Sequence, residues 1–377
     1  MKQAVNIARV IVGCLFIFSG LVKAIDPLGL AYKMQEFFEV WASGGFMKGL
    51  LMWLHVHALW FALFMITMEV VLGVALLLGW GTKLVSWLLL LLMLFFTFLT
   101  SYVLFSGKIR ACGCFGDCIP LTPMQTFTKD IILLALVLLI VGKRKYISSF
   151  FSKNLCSVIV LCSVFAVLGL QWYVLKHLPV KDCLPYKVGN DLLKLRQMPA
   201  DAVPDKYEYV FIYEKNGVKK EFTTSLPDST WKYVDRKQTL VQAGKNNVPL
   251  INDFSFTTES GTDSTEAILG QRGEYYLLFI KTLEDYPQDW DKDIRVILQA
   301  VKDKKPVYIV TGQPEKVKKK FEGKFLLEGK EYVPVIFTCD VTAIKTAARA
   351  NPALFLMNGP VVKKKWSWAD FDDIIKN

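Results

Sequence analysis

The first half of the chain carries apolar runs too long and too closely spaced to be the core of a water-soluble fold. Five can be delimited, at about residues 5–22, 51–79, 84–105, 127–141 and 155–175. A helix needs about 20 predominantly apolar residues to cross the hydrocarbon layer. Four of the runs reach that length. The run at 127–141 is short and begins beside Lys129 and Asp130. Residues 87–96 contain no polar side chain except the Trp87 indole. Lipid offers no partner for backbone N–H and C=O groups, so runs of this kind close their hydrogen bonds internally as helices. The prediction is an α-helical membrane bundle of four helices plus a fifth span, followed by a water-soluble part after about residue 178.

Charge orients the bundle. The net charge of +11 is spread along the chain rather than gathered in a block. That pattern excludes nucleic acid as a partner and leaves the lipid bilayer as the main environment. Lys2, Arg9, Lys83, Lys143, Arg144, Lys145 and Lys153 fall on one side of the spans, and the four cations of the loop before the fifth run outweigh Lys108 and Arg110 on the other. Cytoplasmic loops carry the excess of Lys and Arg. The expectation is a multi-pass protein of the inner (cytoplasmic) membrane, with its N-terminus in the cytoplasm. The loop at 23–49, the loop at 106–122 and everything after Lys176 then lie on the periplasmic side. No small-x-small cleavage site follows the first run, so it reads as a span and not a leader.

The second half alternates strand and helix. Residues 206–223 read as a hairpin around Asn216-Gly217, a strong tight-turn signal. Residues 242–248 read as a linker. Strands are expected at 275–280, 306–310, 333–338, 353–357 and 361–365. Helices are expected at 290–302, 314–325 and 342–350, with a last one from Trp368. Strands interleaved with helices give an α/β layer structure. Over about residues 253–377 the order resembles the thioredoxin fold, with Asn351-Pro352 at the position of its cis-proline. The resemblance implies a Cys-x-x-Cys after the central strand, where the helix dipole lowers a thiol pKa. Lys281-Thr-Leu-Glu-Asp-Tyr-Pro-Gln-Asp289 stands there without a cysteine. This domain is therefore expected to be redox-inactive, and to bind a partner or pack on the membrane part. Cys339 reads as a small buried hydrophobe. The domains expected are 1–145 (membrane bundle), 146–178 (fifth span), 179–250 (hairpin-containing connector) and 251–377 (thioredoxin-like).

Chemistry concentrates in the loop between the third and fourth runs, Ala111-Cys-Gly-Cys-Phe-Gly-Asp-Cys118. Thiols in an oxidising compartment are paired, metal-bound or catalytic. A Cys112–Cys114 bridge closes a small, strained ring and is labile. Cys114 and Cys118 pair more easily. Cys183, just beyond the fifth run, is a possible fourth, resolving thiol. Lys108 and Arg110 favour a thiolate. A static disulfide with a spare thiol and an inert remnant remain alternatives. So does a three-thiolate zinc or copper site, although no histidine lies near the cluster.

Phe18-Ser-Gly-Leu-Val-Lys-Ala-Ile-Asp-Pro27, Cys112-Gly-Cys-Phe-Gly116 and four helices in the first half resemble the DoxX/MauE group of membrane proteins, over about residues 1–145. The fused fifth span and outer domain resemble DoxX-type proteins of the Bacteroidetes. The resemblance implies assistance to disulfide formation in the envelope, with client protein thiols or disulfides as partners, and names no client. Cys112 or Cys114 would then attack or accept electrons, and Cys118 would resolve the mixed disulfide. The rival is a membrane scaffold whose outer domain binds a partner and whose loop disulfide is structural.

Two residues inside the spans stand out. Glu69 lies well within the second run, where an unpaired carboxylate is costly. Arg9, on the first, is its expected partner. A proton or quinone role for Glu69 is the sharper alternative, since a membrane thiol oxidant must pass its electrons on; quinone is the one cofactor considered. Gly13, Ser19 and Gly20 offer small contacts for close helix approach.

Overall fold

The first apolar run becomes helix α1 (Lys2–Ala24), and four more helices are long and apolar enough to cross a membrane: α4 (Ala58–Leu78), α5 (Thr82–Ser106), α6 (Pro123–Lys143) and α7 (Lys153–Lys176). The computed structural model describes all residues except 46, 110–112, 114, 224–225, 243, 245, 285, 288–294, 301–303, 324, 328–329 and 376–377. Cys112, Cys114 and the thiolate-favouring Arg110 thus lie outside the described residues. The short fourth run is lengthened by its cap. The Thr122 side chain accepts from the Gln125 N–H, the Gln125 side chain accepts from the Thr122 N–H, and Pro123 takes the first helical position.

In the membrane part, two elements differ from the sequence reading. The stretch read as a loop at 23–49 contains helix α2 (Pro27–Ser43), started by the Asp26 carboxylate on the Gly29 N–H and by Pro27. Its apolar side buries Leu30, Met34, Phe37 and Phe38 against the bundle. The second run is not one helix. It divides at His57 into α3 (Lys48–Val56) and the crossing helix α4. The His57 ring stacks on Trp53 and hydrogen-bonds its carbonyl oxygen, which ends α3.

Helices α1 and α4 approach closely through glycine. A side chain on Gly73 would stand 2.9 Å from the Gly13 carbonyl oxygen, and one on Gly20 would stand 2.5 Å from Val70. Such small-residue seams draw helices together in lipid, where apolar side chains gain nothing by leaving their surroundings. Outward-facing Ile7, Val10, Phe64, Leu91, Phe98 and Phe165 leave the bundle with an apolar exterior.

The soluble part has two main sheets. The first is antiparallel, ordered β2-β1-β3, from β1 (Lys206–Lys215), β2 (Val218–Phe222) and β3 (Lys232–Gln242). Asn216 and Gly217 both take positive φ at the β1–β2 turn, as a two-residue hairpin requires. Strand β3 was not expected from the sequence; it makes the connector a sheet of its own. The second sheet is ordered β10-β9-β4-β5-β8. Its strands are β4 (Glu274–Ile280), β5 (Val307–Thr311), β8 (Val335–Thr338), β9 (Ala353–Asn358) and β10 (Val361–Ser367), with β6 (Leu326–Leu327) and β7 (Lys330–Glu331) forming a small separate ladder. β4, β5 and β8 are parallel, and β9 runs antiparallel between β4 and β10.

Along β4, Tyr275, Leu277 and Phe279 join one core, while Tyr276, Leu278 and Ile280 join another. A strand buried on both faces needs cover on both. Helices α8 (Leu192–Arg196), α9 (Thr265–Leu269), α10 (described over residues 295–300), α11 (Pro314–Phe321), α12 (Val341–Ala347) and α13 (Asp372–Ile375) belong to this part. The Asn351–Pro352 bond, just before β9, is cis. The α/β unit rests on the bundle at the α7 end, where the Ser367 hydroxyl donates to the Lys176 carbonyl oxygen (2.6 Å) and His177 pairs with Asp370.

Candidate functional site

The cysteine loop lies under the α/β unit. Gly113 and Gly116 take positive φ and turn the chain into a short 3-10 turn, Gly116–Cys118. Cys118 is disulfide-bonded to Cys183 in the segment after α7. The bridge thus joins the loop between α5 and α6 to the start of the outer part. Cys114–Cys118, the easier pair by spacing, is not the bond made: the fold brings the segment after α7 back to Cys118.

Each bridged cysteine follows an aspartate, and each aspartate is held by a cation of the α/β unit. The Arg349 guanidinium donates to Asp117 (3.1 Å), to Asp26 at the start of α2 (2.9 Å), and to the Lys345 carbonyl oxygen (2.7 Å). The Lys365 ammonium donates to Asp182 (2.6 Å). Both cations are buried, with side-chain exposures of 5% and 6%. Burial works against the Arg349 charge, but Asp26 and then Asp117 outweigh it, and its pKa is raised. For Lys365 burial is the larger effect, opposed by Asp182, and its pKa is lowered.

Beside the bridge, a cavity of about 800 Å³ opens between α2, the cysteine loop and α12. Gly113, the residue between Cys112 and Cys114, forms part of its wall, with Phe115, Gly116 and Asp117. Tyr32 of α2 and Arg349 line it from opposite elements. Tyr32 is ringed by cations: the Lys281 ammonium donates to its hydroxyl (3.2 Å), and Lys345 and Arg349 stand 5.3 and 5.5 Å from its ring centre.

Lys281 is the first residue after β4, where the thioredoxin resemblance implies a dithiol. The Asn351 side chain fixes the backbone there, accepting from the Lys281 N–H and donating to the Thr282 carbonyl oxygen. That face is turned onto α2. Cys339 is buried at the end of β8, and burial pushes its thiol up to about 11, so it is not poised to react.

Within the bundle, the expected Arg9–Glu69 pair is replaced by another. Glu69 receives the Lys23 ammonium on both oxygens, at 2.8 and 2.7 Å, and Lys23 also donates to Ser19. Arg9 instead donates to the carbonyl oxygens of Leu76, Leu77 and Ser148. The reason is position along the helices: Arg9 reaches the end of α4, two turns beyond Glu69, while Lys23 comes level with Glu69 from the other end of α1. A second ion pair, Lys129–Asp130, lies nearby, and a void of about 20 Å³ between the two pairs is closed by Phe115 of the cysteine loop. Asp130 Oδ2 has no hydrogen-bond partner among the described residues. The void is of the size of one water. A quinone ring does not fit between these pairs.

Sequence reasoning missed Asp26, Asp117, Asp182, Arg349 and Lys365. One signal was available: the dipeptide Asp-Cys occurs at 117–118 and again at 182–183, and these are the two cysteines that bond.

Residues 1–143 match the family described as Methylamine utilisation protein MauE. Residues 207–243, the three-stranded sheet, match a domain of unknown function (DUF8463). A curated relative, Protein TlpB of Flavobacterium psychrophilum, is 31% identical over 132 residues, which is 34% of this chain and 34% of that protein. The chain thus spans about a third of the length of the curated relative it matches. No solved structure matches the chain.

Proposed function

We propose that this MauE/DoxX-like, multi-pass membrane protein with a C-terminal soluble part is a thiol–disulfide exchange centre of the cell envelope. In this reading it lies in the inner membrane, with its N-terminus in the cytoplasm and the cysteine loop and thioredoxin-like domain in the periplasm. The observation that carries it is the cavity whose wall includes Gly113, Gly116 and Asp117, next to a formed Cys118–Cys183 bridge. Its volume suits a side chain or short segment of a client. Cys112 and Cys114, the neighbours of Gly113 in the sequence, are the thiols that react with the client in this reading. A client thiolate attacks a sulfur of a loop disulfide, giving a mixed disulfide and one loop thiolate, which takes up a proton. The client's second thiolate then attacks the client sulfur and releases the second loop thiol. Two electrons pass from client to loop, and the client leaves oxidised. Cys118, bridged to Cys183, is the second station: a loop thiolate attacks Cys118 Sγ and displaces the Cys183 thiolate, which takes up a proton. The second loop thiolate then attacks the loop sulfur of that mixed disulfide, re-forms the loop disulfide and releases Cys118. The two electrons thus come to rest on the Cys118 and Cys183 thiols.

The outer domain does not offer its Lys281–Asn351 face to a client, because α2 occupies it. It holds the loop instead. The buried ion pairs beside the bridge equally suit the rival, a scaffold with a permanent structural disulfide. Thiol trapping in intact cells separates the two, comparing the wild type with Cys112→Ser, Cys114→Ser and Cys118→Ser. Mixed disulfides with other proteins that vanish in one variant and accumulate in another support exchange. One permanent bridge with no adducts in any variant refutes it.

A further inference from the structure

The Cys118–Cys183 bridge is flanked on both sides by charge, and both counter-charges come from one rigid body. Arg349 follows the end of α12, and its guanidinium is tied to the Lys345 carbonyl oxygen. Lys365 sits on β10, opposite Phe355 of β9, and its ammonium lies 4.5 Å from the Phe355 ring centre. The receiving carboxylates are fixed too. The Asp182 carboxylate also accepts from the Leu184 N–H (3.0 Å), and Asp26, which shares Arg349 with Asp117, caps α2.

We infer that Arg349 and Lys365 are positioning residues that set the reduction potential of the Cys118–Cys183 bridge, by keeping its two halves together once the bond is open. This rests on the reading of the loop as a thiol–disulfide centre. Reduction adds two electrons and two protons, breaks the S–S bond and gives two thiols. Nothing in that step removes Asp117 from Arg349 or Asp182 from Lys365. The two thiols therefore stay neighbours, and closure remains an intramolecular event at high effective concentration. A higher closure constant means a more negative potential.

The sign discriminates this role from a local field effect. A nearby cation favours thiolate and so favours the reduced form. On field grounds alone, removing Arg349 or Lys365 makes the potential more negative. Loss of the clamp makes it less negative.

The test uses the full-length protein in nanodiscs, in a Cys112→Ser, Cys114→Ser background that isolates the bridge. It is equilibrated in glutathione buffers of graded ratio, and the bridged fraction is read by thiol labelling and mass spectrometry. Arg349→Gln and Lys365→Gln are each expected to lose ten- to a hundredfold in effective concentration, a shift of about 30 to 60 mV toward less negative values. Arg349→Lys keeps the charge and the fold but loses the fork that spans two carboxylates. It is expected to shift in the same direction, and it serves alone if the glutamine variants do not fold. Lys316→Gln, which removes an exposed pair with Glu284, is the control and is expected to leave the potential unchanged. Unchanged or more negative potentials in the Arg349 and Lys365 variants overturn the inference. Absence of client adducts in the trapping experiment overturns the exchange reading and leaves these potentials to be judged separately.

Discussion

Replacing Glu69 by Gln tests the least expected feature of the bundle, the Lys23–Glu69 pair. The pair is almost wholly enclosed, with side-chain exposures of 3% and 4%, and the ammonium contacts both carboxylate oxygens within 2.8 Å. At that separation and an effective dielectric of about 20, the attraction is about 6 kcal/mol. Taking both charges out of water costs several kcal/mol per ion, so the net worth of the pair is small. Breaking it is different. Glu69→Gln strands the Lys23 charge among Phe16, Met93 and Phe96, and the cost expected is about 3–5 kcal/mol. Lys23→Met strands the carboxylate at similar cost. The double variant, Lys23→Met with Glu69→Leu, buries no charge and is expected within about 1 kcal/mol of the wild type or above it. The assay is reversible SDS-driven unfolding in mixed micelles, read as a double-mutant cycle. A matching cycle on Arg9 and Glu69 is expected to show coupling below about 0.5 kcal/mol. Two single losses that simply add, or a strong Arg9–Glu69 coupling, refute the assignment of partners.

Cys183→Ser opens a loop of 65 residues and frees Cys118, so one more thiol becomes alkylatable and stability falls by about 2–4 kcal/mol in the same unfolding assay. Gly73→Ala places a methyl 2.9 Å from the Gly13 carbonyl oxygen and from Ile17, forcing α1 and α4 apart, at a cost of about 1–3 kcal/mol in that assay. Cys339, pushed up to about 11, is expected to react with iodoacetamide about a hundredfold more slowly at pH 8 than a free thiol of pKa about 9, with the rate rising about tenfold per pH unit up to its pKa. The stability sign follows. Its folded pKa exceeds the unfolded value, so its contribution is complete below about pH 9 and is lost as pH rises toward about 11, a loss on the order of 3 kcal/mol. Chemical unfolding at stepped alkaline pH, wild type against Cys339→Ala, reads that difference.

The legible features share a cause: each is written in local pattern. The five spans follow from run length. The strand order of the α/β unit follows from β-rich runs separated by turn residues, and the Asn216-Gly217 hairpin from a dipeptide. What escaped depends on distance in space. Helix α2 carries Lys33, Glu36 and Glu39 among its apolar residues, which dilutes its hydropathy. Its capped start at Asp26-Pro27 was the signal passed over. Strand β3 is exposed along its whole length and alternates weakly, so nothing apolar marks it. Arg9 was given to Glu69 because both are charged and within the spans. Lys23 was placed at the start of the outer loop because it ends a run, although α1 continues to Ala24 and brings it level with Glu69. Arg349 lies 232 residues from Asp117 and Lys365 lies 183 residues from Asp182, and no periodicity connects them.

Under the proposed exchange reading, the docked face of the α/β unit gives a domain without a dithiol a part in thiol chemistry. The thioredoxin resemblance puts a dithiol at the helix start after the central strand and the cis-proline beside it. Here Lys281 and the cis Asn351–Pro352 step occupy those places and meet Tyr32 of α2. Lys345 and Arg349 complete the ring of cations around Tyr32, and Arg349 continues to Asp117 beside the bridged Cys118. Thiols on this face would attack the neighbouring disulfide. Arg349 instead holds the flanking Asp117, and in the proposed exchange reading the sulfurs are left to other thiols. Substitutions on this face should therefore alter the chemistry of the cysteine loop, while those on the outward β1–β3 sheet should leave it unchanged.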